Sequence, residues 1–223
     1  MRSVVKNMNT SLEIAKKLLD IGAVKLNFVN PFTWTSGLRS PIYCDNRKTL
    51  SFPDLRTLIT IAYIKEIKQK FPETEVIAGV ATAGIAQGAL VAAGLNLPYC
   101  YVRPEPKNHG MKNQIEGFLE AGKKVVLIED LISTGLSSLR AVDAVRETAE
   151  VLAVLSIFTY SLPSAELAFK NANCICISLT NLDILSKIAI ENNYLSQDYL
   201  DNFIKWSKNP AKWSEDFLAT ATL

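Results

Sequence analysis

An excess of charge of either sign is missing from this chain: 24 Lys and Arg against 22 Asp and Glu leave a formal +2 over 223 residues. Gripping a nucleic-acid backbone through many phosphate contacts demands a basic stripe, so no nucleic-acid partner is expected. Long apolar runs are missing too, the longest being strand-sized or interrupted by Gly and Pro, and the opening MRSVVKNMNTSLEIAKK lacks an apolar signal core. Neither membrane spanning nor secretion is therefore expected, and the cytoplasm is the expected compartment. There is no internal repeat or low-complexity linker, and 48% hydrophobic with 21% charged residues excludes disorder and fibrous architectures in favour of one globular domain. Cysteine is scarce, with Cys44, Cys100, Cys174 and Cys176 only. Cys174 and Cys176 lie in a Cys-Ile-Cys-Ile run that reads as a strand with both thiols on one face, too close along the chain for an ordinary zinc pair. They read as small buried hydrophobes.

What is present is an alternation of periods. Thr10-Ser-Leu-Glu13 forms a capping box, and Leu12, Ala15, Leu18 and Leu19 recur at helical spacing until Gly22. Phe32 to Arg47 reads as a hairpin-like excursion with turns at Ser36-Gly37 and Ser40-Pro41. A second helix is expected from Ser51, with Pro53 in its first turn and Leu55, Leu58, Ile59 and Ala62 on one face. Strands are then expected at 76–80, 98–102, 125–128, 151–158 and 174–178, with helices at 85–95, 137–148, 163–170 and 181–191, and one more helix with a polar terminus after Ser196. Short apolar strands alternating with helices predict an α/β fold whose sheet is mostly parallel and covered on both faces.

One stretch concentrates chemistry: Val125-Val-Leu-Ile-Glu-Asp-Leu-Ile-Ser-Thr-Gly-Leu-Ser137. Four aliphatics make a buried strand, two acids follow, and a hydroxyl-bearing loop opens a helix. A helix N-terminus at the carboxyl edge of a parallel sheet offers amide donors and a positive dipole end to a phosphate. Ser133, Thr134 and Ser137 add hydroxyls, and Gly135 lets the backbone approach the anion. Carboxylates repel anions, so Glu129 and Asp130 suit ribose hydroxyls or Mg²⁺ instead. The competing reading, that Asp, Ser and Gly merely cap a strand-to-helix turn, fits isolated pieces of the stretch better than all of it. Gly79-Val-Ala-Thr-Ala-Gly84 has the glycine spacing of a nucleotide P-loop, but Ile85 and Ala86 stand where Lys and Ser or Thr belong. The single histidine, His109, sits with Arg103, Lys107 and Lys112 in a stretch broken by Pro104, Pro106 and Gly110, which reads as a basic loop suited to a polyanion or as a solvated turn.

The Val125–Ser137 pattern resembles the phosphoribosyl-diphosphate (PRPP) motif of the type I phosphoribosyltransferases. Ser36-Gly-Leu-Arg-Ser-Pro-Ile-Tyr-Cys-Asp-Asn-Arg47, Arg103-Pro-Glu-Pro-Lys-Asn-His-Gly110 and Gln114-Ile-Glu-Gly117 narrow the resemblance to the orotate phosphoribosyltransferases, particularly the form of many Gram-positive bacteria, over about residues 10 to 213. That resemblance implies a type I phosphoribosyltransferase fold as a single domain over 1–223, with an N-terminal hood over about 1–50, an α/β core over about 51–195 and a C-terminal helix and tail over 196–223. It implies transfer of ribose 5-phosphate from PRPP to orotate, giving orotidine 5′-phosphate and pyrophosphate, with Mg²⁺ held mainly through PRPP and Asp130 as a candidate ligand.

By the same resemblance PRPP meets Arg103, Lys107, His109, Glu129, Asp130, Leu131, Ile132, Ser133, Thr134, Gly135, Leu136 and Ser137, with Asp130, Glu129, Lys107 and His109 catalytic. Orotate is implied to meet Ser133, Tyr43, Cys44 and Arg47. Arg39 or Arg47 is suited to the orotate carboxylate, and Arg47 equally to a surface ion pair. The 103–117 loop is implied to act in trans within a homodimer. Departures stand at Thr35, Ala83 and Pro104, where other branches carry lysine, and at Leu136, where a second glycine is usual. A non-catalytic PRPP-sensing regulator and a phosphoribosyltransferase for another base are the alternatives.

Overall fold

The computed structural model describes residues 2–34, 36–105 and 114–220. Helix α1 (Arg2–Asp20) starts well before the expected capping box, so Thr10 and Ser11 lie inside it. The Ser11 hydroxyl donates to the carbonyl of Leu179 instead of capping; a local cap signal gives way where a tertiary acceptor is in reach. Gly22, with φ +63°, ends the helix as expected.

The hairpin-like excursion is built from four short strands. β1 (Val24–Leu26) pairs antiparallel with β4 (Ile42–Cys44), and β2 (Phe32–Thr33) pairs antiparallel with β3 (Arg39–Ser40). A 3-10 helix (Asn46–Ser51) then turns the chain into α2 (Pro53–Lys70). Pro53 occupies the first turn, where its missing N–H costs nothing. Leu55, Ile59, Ala62, Tyr63 and Ile67 are buried.

The core elements follow as β5 (Val76–Val80), α3 (Gly84–Leu95), β6 (Tyr99–Val102), β7 (Ile115–Glu116), β8 (Lys124–Ile132), α4 (Leu136–Arg146), β9 (Glu150–Thr159), α5 (Pro163–Asn171), β10 (Cys176–Asn181) and α6 (Leu182–Glu191). They make one six-stranded sheet in the order β10-β9-β8-β5-β6-β7, parallel except for β7 at the edge. The chain leaves β5 through α3 toward β6, but leaves β8 through α4 toward β9 on the other side. Crossovers of one hand therefore put α3 and α4 on opposite faces. Between β5 and β8 the winding reverses, and at such a point the carboxyl ends of two strands open a crevice.

Three boundaries differ from the sequence reading. β8 continues through Glu129 and Asp130 to Ile132 because β9 runs alongside, pairing Glu129 with Ser156, Leu131 with Phe158 and Ile132 with Thr159; the two acids thus sit within the strand and not beyond its end. β10 starts at Cys176, leaving Cys174 just outside it. The tail forms two helices, α7 (Leu200–Lys208) and α8 (Pro210–Thr220), because the residue before a proline is pushed out of helical torsions, and Asn209 is extended at φ −153°.

Those two helices brace the hood. Trp206 of α7 is fully buried and meets Trp34 edge-on at 5.8 Å and Tyr160 edge-on at 5.5 Å, while Trp34 and Tyr160 stack at 5.4 Å. From α8, the Ser214 hydroxyl accepts the Arg39 N–H at 2.9 Å. Trp206→Ala should cost about 3–5 kcal/mol, the usual range for emptying a buried aromatic site. Urea unfolding checks this: a loss under about 1 kcal/mol would show that the aromatic cluster does not hold the hood.

Candidate active site

The reversal between β5 and β8 places two loops side by side. A cleft of about 310 Å³ is lined by Ala81, Thr82 and Ala83 after β5 and by Glu129, Asp130, Leu131, Ser133, Thr134, Gly135 and Ser137 from β8 to α4. Both loops approach closely because of glycine. A Cβ on Gly84 would fall 2.2 Å from the Ile128 carbonyl, so only glycine lets α3 start against β8. Gly135 has φ +80° and immediately precedes α4. Leu136, at the position usually glycine, takes helical torsions as the first residue of α4 with its side chain 57% exposed. The left-handed torsion falls entirely on Gly135, so the side chain at 136 is accommodated.

Successive residues of a strand face opposite ways, and the two acids accordingly meet different surroundings. Glu129 is only 5% exposed; its Oε2 accepts the Ser138 hydroxyl of α4 at 3.0 Å and its Oε1 accepts the Asp130 N–H at 3.1 Å. Burial first, and the adjacent Asp130 charge second, push the Glu129 carboxyl up to about 8 against those two donors. Asp130 is half-buried, and burial raises its carboxyl as well, opposed by Glu129, by the Leu131 N–H and by the Arg47 charge. Side-chain donors hold the main chain here: the Tyr63 hydroxyl donates to the Glu129 carbonyl at 2.8 Å, and the Asn46 amide to the Asp130 carbonyl at 2.7 Å.

Of the residues expected to meet orotate, Cys44 and Arg47 lie within electrostatic reach of Asp130. Cys44 donates its thiol to Asn46 Oδ1 at 3.3 Å, and burial followed by the Asp130 and Asp45 charges pushes that thiol well above its ordinary range. Tyr43 is exposed with its ring 5.7 Å from Phe32. Arg47 is exposed and its Nε donates to Asp45 Oδ1 at 2.6 Å. Arg39 donates to the Thr33 hydroxyl at 2.8 Å. Tyr160 is buried after β9; its phenol is raised by burial first and by the Cys44 and Asp130 charges next, and it receives a hydrogen bond from the Cys44 backbone.

Of the residues expected to meet PRPP, the cleft gathers Glu129, Asp130, Leu131, Ser133, Thr134, Gly135 and Ser137. Ile132 turns into the core and Leu136 outward. Arg103 lies on the rim, lining a small cavity with Ala81, Ser137 and Arg140 and pairing with Glu116 at 3.6 Å. The strands flanking its loop pair Tyr101 with Glu116 and Val102 with Ile115, so both loop ends are fixed. Lys107 and His109 lie outside the described residues. Sequence reasoning missed Asn46, Tyr63, Ser138 and Tyr160. Asn46 lies within a quoted motif without having been singled out and Ser138 follows one, but nothing in the spacing of the chain shows that the hydroxyls of Tyr63 and Tyr160 reach the site.

Similarity to known proteins points the same way. A phosphoribosyl transferase domain model matches residues 55–165. The orotate phosphoribosyltransferase of Cytophaga hutchinsonii is 52% identical over 93% of this chain and 100% of its own length. The enzyme of that name from Bacillus subtilis is 54% identical over 88% of this chain and 92% of its own. Among solved structures, orotate phosphoribosyltransferase from Aeropyrum pernix superposes with a TM-score of 0.70 at 28% identity, covering 82% of this chain and 99% of that one.

The raised Glu129 carboxyl fixes the sign of a stability effect. A folded-state value near 8 against an ordinary 4.5 means that the native chain binds the extra proton between those limits. The favourable contribution is whole below about 4.5 and is lost as pH rises through about 8. In metal-free buffer Glu129→Gln should flatten the fall in unfolding free energy between pH 5 and pH 8.5, because Gln keeps an acceptor for Ser138 without titrating. Parallel pH profiles of the two proteins in chemical denaturation would rule out this ionisation.

Proposed function

Because the chain belongs to the orotate phosphoribosyltransferase family, we infer that it is a pentosyltransferase (EC 2.4.2.10) of pyrimidine (UMP) biosynthesis. It moves ribose 5-phosphate from PRPP to N1 of orotate, releasing orotidine 5′-phosphate and pyrophosphate. The single observation that carries this reading is the convergence, at the β5/β8 reversal, of two carboxylates with a hydroxyl-lined loop opening a helix.

The 5′-phosphate fits the Ser133–Ser137 loop, where amides at the start of α4 and the hydroxyls of Ser133, Thr134 and Ser137 face one cleft. Asp130 and Glu129 then lie one and two strand residues deeper than Leu131, within reach of ribose hydroxyls of a sugar so anchored. Breaking the C1–O bond leaves a cationic sugar and a highly charged leaving group, so the work is electrostatic. Asp130 biases charge toward the developing cation, and the basic 103–117 loop compensates the departing pyrophosphate. Ala81, Thr82 and Ala83 are small enough for main-chain contact with that pyrophosphate.

Among the described residues no group of three or more His, Cys, Asp or Glu could hold a metal ion. Mg²⁺ commonly uses one or two carboxylates with waters and substrate phosphates, which fits an ion arriving with PRPP and touching Asp130. When bound it would neutralise charge on the leaving diphosphate.

Orotate is assigned to the hood side of Asp130, against Tyr43, Cys44 and Ser133, with Arg47 close enough for its charge to act on Asp130. The protein works as a homodimer in which Lys107 and His109 reach the partner's cleft, while Arg103 anchors the loop at the rim of its own. No helix among the described residues is long and apolar enough to cross a membrane, and the cytoplasm is the proposed compartment.

Asp130→Asn should fold normally and lose at least about 100-fold in kcat, the usual scale for removing one electrostatic contact to a transition state. Loss of orotate absorbance with PRPP and Mg²⁺ measures it; wild-type turnover would remove Asp130 from the mechanism. Mixed Asp130→Asn and His109→Ala subunits should regain activity on exchange, since one hybrid site is intact. Silence after proven exchange would refute loops working in trans.

A further inference from the structure

The cleft and the hood are different substructures, and one buried side chain joins them. Asn46 opens the 3-10 helix after β4 and is 1% exposed. Its Nδ2–H donates to the Asp130 carbonyl at 2.7 Å, across 84 positions of sequence, and its Oδ1 accepts the Cys44 thiol at 3.3 Å. Its own main-chain carbonyl accepts the buried Thr49 hydroxyl at 2.6 Å, fixing the turn that presents the amide. The two ends of the amide are not interchangeable: a carbonyl partner demands the N–H end, and the thiol donor then meets the oxygen.

This arrangement sits where β8 has lost one neighbour. The register of β5 with β8 ends at Gly79 and Ile128, so past Ile128 the strand has β9 on one side only. Buried carbonyls need partners; successive carbonyls of a strand point to opposite edges, and the Tyr63 hydroxyl donates to that of Glu129 and the Asn46 amide to that of Asp130. Tyr63 comes from α2 in the core, whereas Asn46 belongs to the segment that carries Tyr43 and Cys44. A shift of the hood is therefore transmitted to the backbone of Asp130 through one amide.

We propose that Asn46 is a positioning residue, which fixes Asp130 relative to the base-binding hairpin so that the sugar carbon and the attacking base nitrogen meet in register. The inference rests on the assignment of orotate to the hood side and of PRPP to the cleft. Asn46 touches neither substrate. Its effect falls on the alignment of two sites already formed, and misplacement of reacting groups by about 1 Å costs on the order of 100-fold in rate.

The test compares Asn46→Ala with Asn46→Asp, which keeps the shape and the oxygen facing Cys44 but replaces the donor toward Asp130 by an acceptor. PRPP affinity is measured by calorimetry without orotate, and kcat and the orotate KM by orotate consumption. Both variants should lose roughly 10- to 100-fold in kcat and weaken orotate, with PRPP affinity held within about threefold. Asn46→Asp should be no better than Asn46→Ala despite its closer shape. Wild-type kcat in either variant overturns the proposal. So does a parallel fall of kcat and PRPP affinity that tracks the unfolded fraction seen by circular dichroism. Wild-type turnover of orotate in the same assay tests the underlying assignment separately; were another base the substrate, the same partition of kcat from PRPP affinity, measured with that base, decides the role of Asn46.

Discussion

Two adjacent carboxyl groups are carried into the carboxyl edge of a parallel sheet, one buried and one half-buried beside the cleft, and most of the local architecture answers that placement. Leaving one such charge buried without a partner costs several kcal/mol, whereas a hydrogen bond to a charged group returns only about 1.5–3 kcal/mol. One donor is therefore not enough. Glu129 is given the Ser138 hydroxyl, the Asp130 N–H and a raised affinity for its own proton. Asp130 faces the other way, toward the Arg47 charge and the opening of the cleft. Burial and the adjacent Asp130 charge both raise the Glu129 carboxyl, which lessens the repulsion that two fully ionised carboxylates would exert on a phosphorylated sugar.

The positions of these donors follow from topology. Because α3 and α4 leave the sheet in opposite directions, one face beside β8 is covered by α4, which offers Ser138, and the other by α2, which offers Tyr63. The hood supplies the third donor, Asn46, exactly one residue beyond the Tyr63 contact along β8 in the sense that Tyr63 takes the Glu129 carbonyl and Asn46 the next. The Ser133–Ser137 loop is shaped from its back as well: a Cβ at Gly135 would lie 2.7 Å from the Phe169 ring of α5, so α5 limits that position to glycine while leaving Leu136 free to point outward.

Elements with strong periodicity were legible in the chain. Val76–Val80, buried throughout, and the Ala-rich α3 appear within one or two residues of where pattern places them, and the type of sheet follows from the alternation. The end of β8 was not legible, because Glu129 and Asp130 look like a strand terminus until β9 is laid beside them. The start of α1 was hidden by a capping signal that its tertiary setting overrides. Chemistry read from contiguous residues located the cleft, since its loop lies in one stretch of sequence. Asn46, Tyr63 and Tyr160 act across 84, 66 and more than a hundred positions respectively only once folded, and no local pattern encodes such a contact.

The hood argues against the two alternative readings. A regulator needs only to sense PRPP, for which the proposed cleft between β5 and β8 would suffice, and would have no use for a hood wired to the acid on β8. Here the segment bearing Tyr43 and Cys44 is hydrogen-bonded through Asn46 to Asp130, packed through Trp34 on Tyr160, and braced from behind by Trp206 and Ser214. Burying that many aromatics to hold a short pair of hairpins is costly in chain entropy unless the hairpins must present something rigidly. A second substrate that has to meet the sugar carbon in line is such a demand. A phosphoribosyltransferase for another base would share that demand, and the relatives that align along nearly the whole chain, hood included, are orotate enzymes. The hood lies outside the matched phosphoribosyl transferase domain, as do the elements after residue 165 that brace it.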